Sequence, residues 1–219
     1  MRDRVLQAYR RYQRLDPPGA PQPELIPAVG DILDPVDIAE AALTWTAPGP
    51  DDVARLLYVV QSPAHRDQIM VQFAFGRETG VQAWRMNQAY LALQRATGRS
   101  LDDIVAAEVE GDAPPEAGRL GDLMLGQCAD RPNHGRTEAA ITLLKTVVAS
   151  APRRCRPAPL CMLAWLSWTL GRGSVAGIFV ELALTIDPTY GMALLLNTVV
   201  CSGMLPEWAY AVPPDEAAS

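Results

Sequence analysis

The fold is decided by the stretch PAPLCMLAWLSWTLGRGSVAGIFVELALTIDP, residues 157–188. Residues 158–170 contain no charged side chain and read as one continuous buried helix. The tripeptide Gly-Arg-Gly at 171–173 ends this helix, because glycine adopts the backbone conformations that a tight turn needs. Ser174 is a typical N-cap residue for a second helix, which ends near Ile186. The stretch therefore predicts a hairpin of two helices.

Small side chains occur in this stretch where two helices would cross closely. These small residues are Ala164, Ala176 and Ala183. Large apolar side chains can fill the space around them, namely Leu163, Trp165, Leu166, Phe179 and Leu182. Asp187-Pro188 then predicts the start of a further helix, since aspartate caps and proline suits the first position. The hairpin is therefore expected to continue into a stack of helices.

The same kinds of helix-start and helix-end signals occur through most of the chain before residue 157. Asp34-Pro35 and Ser62-Pro63 are helix starts, and Gly76 and Gly98 are helix ends. Apolar residues recur at i, i+3, i+4 and i+7 between these signals, which is the helical period. Predicted helices cover about 2–15, 34–45, 51–60, 62–76, 78–97, 100–111 and 116–129. No run of alternating β-branched residues stands between hairpin turns, so the predicted fold class is all-α.

Composition divides the chain into four parts. Residues 1–15 form a basic N-terminal helix or arm, and five prolines make residues 16–30 a Pro-rich linker. Residues 31–210 are expected to form a helical domain with a possible sub-boundary near 111–116. Residues 211–219 are expected to be a disordered tail.

The chain carries a formal net charge of −6, which argues against non-specific binding of nucleic acid by its body. The first 15 residues nevertheless carry five arginines and one aspartate, a local charge of +4. Four cysteines without a C-x-x-C pair are typical of reduced thiols, and no apolar secretory region follows the polar N-terminus. We therefore expect a cytoplasmic protein. Residues 188–206 lack charge but are diluted by polar side chains, which favours a buried helix over a transmembrane one.

Two groups of residues resemble parts of known chemical sites. His65-Arg66-Asp67 spells the catalytic tripeptide of protein kinases, but Gln72 stands where the magnesium-binding asparagine belongs, and the companion motifs are missing. Cys128 and His134, with Asp130 between them, are too few and too loosely spaced for a metal site. The sequence therefore predicts no catalytic residue, no metal and no cofactor, and an enzyme is the less favoured class.

Candidate partner-binding residues fall into three groups. Trp165 and Trp168 lie three apart on a charge-free helix, a spacing that usually means core but also permits one of them to line a groove. Near a predicted helix C-terminus lie three arginines that either complement the helix dipole or form a patch for an acidic partner: Arg153, Arg154 and Arg156. The N-terminal arm contributes Arg10, Arg11 and Arg14. A protein partner is favoured over nucleic acid for these arginines, because no nucleic-acid motif accompanies them.

The 157–188 hairpin resembles a tetratricopeptide repeat. If Pro188 is the terminal proline of the repeat, the three alanines named above fall on its small-residue positions. Leu160, Ser167 and Val180 depart from the aromatic residues of that repeat. Residues 138–152 echo 174–188 with a period of 36. The expectation is an irregular array of antiparallel helical hairpins, tetratricopeptide-like in the C-terminal half.

A second resemblance spans about residues 50–210. The C-terminal part contains, in order, a Leu-rich helix (160–170), a Gly-x-Gly turn, an Ala/Leu helix, Asp187-Pro188-Thr189-Tyr190 and a closing Leu-rich helix. This order is similar to the C-terminal signature of domain of unknown function 4192. Arg66-Asp67 resembles the central Arg-Asp element of that family. The resemblance implies an actinobacterial or actinobacterial-phage origin, which agrees with 18 arginines against one lysine. It implies no activity.

Three functions are compatible with these observations. The preferred one is a non-enzymatic helical module that binds a protein partner, because stacked hairpins present extended surfaces. The first alternative is an enzyme or small-molecule binder with a dispersed pocket. The second is a nucleic-acid-associated protein that uses the Arg-rich arm. Self-association is also possible, since the charge-free helix around 194–200 must be covered by its own hairpin, by residues 1–15 or by a second subunit.

Overall fold

A computed structural model describes residues 1–14, 34–100, 103–104 and 115–210 of the chain. Over these ranges the prediction of an all-α fold is confirmed, with ten α-helices, two 3-10 helices and no strand. The α-helices are α1 (Arg2–Gln13), α2 (Pro35–Leu43), α3 (Pro50–Val59), α4 (Pro63–Phe75), α5 (Arg77–Thr97), α6 (Pro115–Leu125), α7 (His134–Ser150), α8 (Pro157–Thr169), α9 (Gly173–Ile186) and α10 (Gly191–Cys201), and the 3-10 helices are Arg153–Cys155 and Glu207–Ala209. The predicted linker 16–30, the tail 211–219, and most of the predicted boundary 111–116 and helix 100–111 lie outside the described residues.

The predicted helix starts at Asp34-Pro35 and Ser62-Pro63 are confirmed, whereas the helix predicted from residue 51 begins at Pro50 after an N-cap at Gly49. The Asp34 carboxylate accepts hydrogen bonds from the Val36 and Asp37 amides at 2.8 and 3.1 Å. Ser62 caps α4 by accepting from the His65 amide. Both caps satisfy amides that would otherwise lack a partner in the first helical turn, and the proline that follows each cap has no amide to satisfy.

Two starts near the C-terminus differ from the prediction. Ser174 lies inside α9 instead of capping it, and Arg172 occupies the N-cap without a side-chain hydrogen bond. Helix α10 begins at Gly191 after an N-cap at Tyr190, not directly at Asp187-Pro188. The Asp187 carboxylate instead accepts from the Thr189 amide and hydroxyl at 3.0 and 2.8 Å, which forms a turn between the two helices.

Helices α4 and α8 form the centre of the fold. Every residue of α8 from Pro157 to Thr169 is buried. It packs most extensively on α9, with α7, α10 and α4 as its other main neighbours. Ala164, Ala176 and Ala183 have no exposed surface, so α8 and α9 approach closely at these small side chains. A helix that is apolar on all sides belongs in the middle of a core, and α8 is such a helix.

The N-terminal helix folds back onto the domain. Val5, Ala8 and Tyr9 are buried, and α1 packs mainly against α3. Tyr12 stacks on Tyr58 of α3 with ring centroids 5.7 Å apart. The amphipathic pattern of residues 2–15 therefore reflects packing, and α1 is part of the core rather than a detached arm.

A buried polar network joins α2, α4 and α7. Gln72 on α4 is fully buried and donates to the Val36 carbonyl at 2.9 Å and to Glu40 at 2.8 Å. Arg136 holds Glu40 through two hydrogen bonds of 2.6 and 3.1 Å. Burial raises the pKa of Glu40, but the bonds from Arg136 and Gln72 outweigh burial and hold that pKa below its ordinary value. The network stabilises one relative arrangement of three helices.

Among the described helices, none has the length and apolar composition needed to cross a bilayer. The charge-free stretch 188–206 contains α10, which is 11 residues long.

Candidate functional site

The outer face of α9 carries a row of exposed apolar side chains. Val175, Ile178 and Leu182 are 39%, 57% and 47% exposed, and we call these three residues the apolar row. Their spacing of three and four residues places them on one side of the helix. The opposite side of α9 is buried against the core. Helix α9 is thus apolar on both sides, and only the inner side has a partner within the described chain.

The final helix α10 is also incompletely covered. Its inner residues Ala193 and Leu196 are buried, whereas Leu194 and Leu195 are 47% and 68% exposed. The hairpin with α9 covers the inner face, and α1 lies elsewhere, against α3. Neither helix α1 nor the hairpin therefore covers the outer leucines, and exposed apolar surface of this kind is typical of a contact region.

Four arginines surround the C-terminal ends of α7 and α9. Arg2 donates to the Ala149 carbonyl at 3.3 Å, and Arg156 donates to the Ala151 carbonyl at 3.0 Å. Arg153 donates to the Thr185 carbonyl of α9 at 3.3 Å. These residues, together with the exposed Arg154, are called the arginine cluster: Arg2, Arg153, Arg154 and Arg156.

Three members of this cluster, Arg2, Arg153 and Arg156, are close enough for their positive charges to interact. Burial lowers the pKa of Arg156, and the positive charges of Arg2 and Arg153 lower it further. Within the described ranges no member of the arginine cluster forms an ion pair with a carboxylate. The sequence analysis grouped Arg153, Arg154 and Arg156, and the structure adds Arg2 from the opposite end of the chain.

The remaining arginines of the N-terminal helix lie away from the cluster. Arg10, Arg11 and Arg14 are exposed. Arg11 pairs with Asp51 at 2.7 Å, at the start of α3. Arg11 is nine residues from Arg2, which is about 14 Å along the helix. The arm residues named in the sequence analysis therefore form a separate part of the surface.

Both tryptophans proposed for partner binding are core residues. Trp165 and Trp168 are 1% and 2% exposed. Their indole N–H groups donate to the main-chain carbonyls of Met124 at 2.9 Å and Met204 at 2.8 Å. In this conformation a partner protein cannot touch either ring, which corrects the expectation that one of them lines a groove.

The tripeptide His65-Arg66-Asp67 has a structural arrangement. Arg66 donates through Nε to Asp67 at 2.7 Å and through Nη1 to the Tyr190 hydroxyl at 3.0 Å. Burial lowers the pKa of Arg66, but Asp67 and Tyr190 outweigh it and leave that pKa above its ordinary value. His65 has no exposed surface and lies 5.6 Å from the Trp84 ring. The two motifs that carried the family resemblance, Arg66-Asp67 and the segment ending in Tyr190, thus meet in space.

The residues weighed as metal ligands have other partners. Asp130 pairs with Arg119 at 3.3 Å, and His134 faces Glu138 at 3.8 Å. Cys128 is half-buried, and burial raises its thiol pKa. In the parts of the chain that the structure describes, no group of three or more histidine, cysteine, aspartate and glutamate side chains lies together.

Sequence reasoning missed the apolar row. It assigned Leu182 to the filling of the hairpin, yet this side chain is 47% exposed, because Ala183 beside it turns inward. The available signal was the composition of α9, where Glu181 is the single charged residue between two apolar stripes. A helix with two apolar stripes needs a second partner.

Comparison with known proteins gives one match. Residues 116–207 match the model of the family described as "Domain of unknown function (DUF4192)". The matched part contains α7 to α10, and with them the apolar row and three of the four clustered arginines. No curated protein and no solved structure is detectably similar to the chain.

Proposed function

We propose that this chain, whose C-terminal part resembles the DUF4192 family, is a helical module that binds a protein partner without catalysing a reaction. The observation that supports the proposal is the apolar row on α9: three large side chains between 39% and 57% exposed on one helix face. Removing such side chains from water yields about 25 cal/mol per Å² of apolar surface, so a partner that covers them gains affinity. We further propose a tetratricopeptide-like stacking of α8 to α10, supported by the three alanines that are buried where α8 and α9 cross.

Two further expectations belong to the proposal, one on the location of the protein in the cell and one on its origin. A cytoplasmic location is supported by the four free cysteines at positions 128, 155, 161 and 201. An actinobacterial or actinobacterial-phage origin is supported by the excess of arginine over lysine. Protein binding is preferred to nucleic-acid binding because the row is apolar and Glu181 lies on the exposed side of the same helix.

The fold determines which variants can test this function. Deleting residues 1–16 would remove the buried side chains of Val5, Ala8 and Tyr9 and uncover the α3 surface against which they pack. Replacing Trp168 by alanine would leave a cavity and remove an indole donor bonded to Met204. Either change would confuse loss of binding with loss of fold. Substitutions of exposed side chains avoid this difficulty.

The test is therefore Ile178→Asp in the full-length chain, with Ala92→Asp as the matched control. Both positions are exposed on helices, so both variants should keep the wild-type circular dichroism and melting temperature. We expect wild type and Ala92→Asp to capture the same host protein at fixed stoichiometry, and Ile178→Asp to lose it. Equal capture by all three chains, or no capture by the wild type, would refute the proposal.

A further inference from the structure

The arginine cluster carries charge that the described chain does not neutralise. Helix C-termini bear about −0.5 charge each, and two of them, those of α7 and α9, accept hydrogen bonds from the cluster. The three guanidinium groups that contact these two helix ends leave about +2 in this region, and the exposed Arg154 is close to two of them in the sequence. The whole chain is acidic, with a formal net charge of −6. The cluster is thus a local positive region on a protein of the opposite charge, which attracts a negatively charged group.

The arginine cluster adjoins the apolar row. Arg153 binds the carbonyl of Thr185 at 3.3 Å. Thr185 is three residues beyond Leu182, which is about 4.5 Å or nearly one turn of helix. The apolar row therefore ends at the cluster, and the two features form one surface. From Val175 to Thr185 this surface extends about 15 Å along α9.

We infer that the partner contributes an acidic amphipathic helix, whose apolar side covers Val175, Ile178 and Leu182 and whose acidic end faces the arginine cluster. The inference rests on the proposed function and adds the chemistry of the partner. Apolar side chains at i, i+3 and i+7 accept a helix whose own anchors repeat at that spacing. Unpaired arginines select carboxylates, which bind guanidinium groups through two parallel hydrogen bonds.

An anionic membrane shares this chemistry but fits the surface less well. Glu181 is exposed beside Leu182 and would face the negatively charged lipid headgroups. The net charge of the chain would also oppose its approach to such a surface. A protein segment carries acidic groups at one end only, so most of its length meets the apolar row and not a continuous layer of anionic groups.

The test uses two synthetic helical peptides of about 14 residues, long enough to cover the 15 Å surface. Both have leucines at i, i+3, i+4 and i+7. One has glutamates in its remaining terminal positions and the other has lysines there. Each peptide carries a fluorophore, and binding to the full-length chain is followed by anisotropy at low and at physiological salt. We expect the acidic peptide to bind about tenfold more tightly than the basic one, and added salt to reduce the difference.

Two variants locate the binding. Arg154→Glu reverses a charge that makes no hydrogen bond within the described chain, so the fold should be unaffected, and we expect it to weaken the acidic peptide about tenfold. Arg95→Glu, an exposed arginine on α5, is the control and should leave affinity unchanged. Ile178→Asp should weaken both peptides, because it affects the apolar row.

Three outcomes overturn the inference. The first is equal affinity for the two peptides, or no binding of either. The second is binding to phosphatidylserine vesicles by a chain that ignores both peptides. The third is a dimer that forms with rising concentration, is lost in Ile178→Asp, and leaves both peptides unbound. If Ile178→Asp still abolishes capture of the host protein while the peptides fail, the proposed function stands and only the acidic helix is wrong.

Discussion

Replacing Gly80 by alanine is expected to destabilise the protein, although helix propensity predicts the opposite. Gly80 lies inside α5, where alanine is normally favoured over glycine by about 1 kcal/mol. A Cβ atom at this position would lie 2.2 Å from Oε1 and 2.5 Å from Cδ of Gln72. Such contacts are far inside van der Waals distance, so the glutamine amide must move.

The cost of that movement follows from what the amide binds. Gln72 accepts from Gln68 at 2.6 Å and donates to the Val36 carbonyl and to Glu40. Losing these three buried bonds costs about 1–1.5 kcal/mol each. After subtracting the propensity gain, we expect Gly80→Ala to lower the free energy of unfolding by about 2–4 kcal/mol. For a chain of this size that corresponds to a fall in Tm of roughly 5–15 °C.

Urea denaturation followed by circular dichroism measures this change. Gly121→Ala in α6 is the matched control, since no atom outside its own turn lies within 4 Å of an added Cβ. It should raise stability by about 0.5–1 kcal/mol. Gly80→Ala combined with Gln72→Ala should be no less stable than Gln72→Ala alone, because the clash has then been removed. A Gly80→Ala protein as stable as wild type would refute the reasoning.

Two further predictions follow from buried polar groups. Burial lowers the pKa of His65 to about 4, so the unfolded chain binds a proton more readily than the folded chain does. The free energy of unfolding should therefore fall by roughly 3 kcal/mol as the pH drops from about 6.5 to about 4. Denaturation curves across that range should show a weaker pH dependence for His65→Gln than for the wild type; equal slopes in the two proteins would contradict the assignment. Tyr190→Phe removes the hydroxyl that accepts from buried Arg66 and should cost about 1–3 kcal/mol in a urea melt, whereas Tyr210→Phe, at a 70% exposed ring, should cost nothing measurable. A silent Tyr190→Phe variant would show that another group accepts this hydrogen bond.

The segments that form helices could be predicted, because helix starts and ends depend on local sequence signals. Asp34, Ser62 and Gly98 mark helix ends through their own backbone chemistry, and the structure places ends at these residues. The boundaries near α10 were not predicted correctly, because Asp187 can either cap a helix or form a turn with Thr189. Local sequence does not decide between these two arrangements.

The candidate surface was only half predictable. Three clustered arginines are visible in the sequence, but Arg2 joins them through α1, whose position depends on packing against α3. Trp168 illustrates the reverse case. Its partner Met204 lies 36 residues away in the chain, and no local pattern announces that contact. Side chains that meet across such distances are set by the tertiary fold alone.

The segment that closes over the tryptophans has a consequence for how the chain folds during translation. The indole N–H groups of Trp168 and Trp208 donate to the carbonyls of Met204 and Thr169, so the C-terminal end of α8 gains these contacts only when the chain has been made as far as Trp208. At about 5–20 residues per second, the 36 residues between Trp168 and Met204 take roughly 2–7 s to synthesise. Until then the C-terminal end of α8, with the apolar ring of Trp168, lacks these contacts, so the core can be completed only after the last part of the described chain has been made.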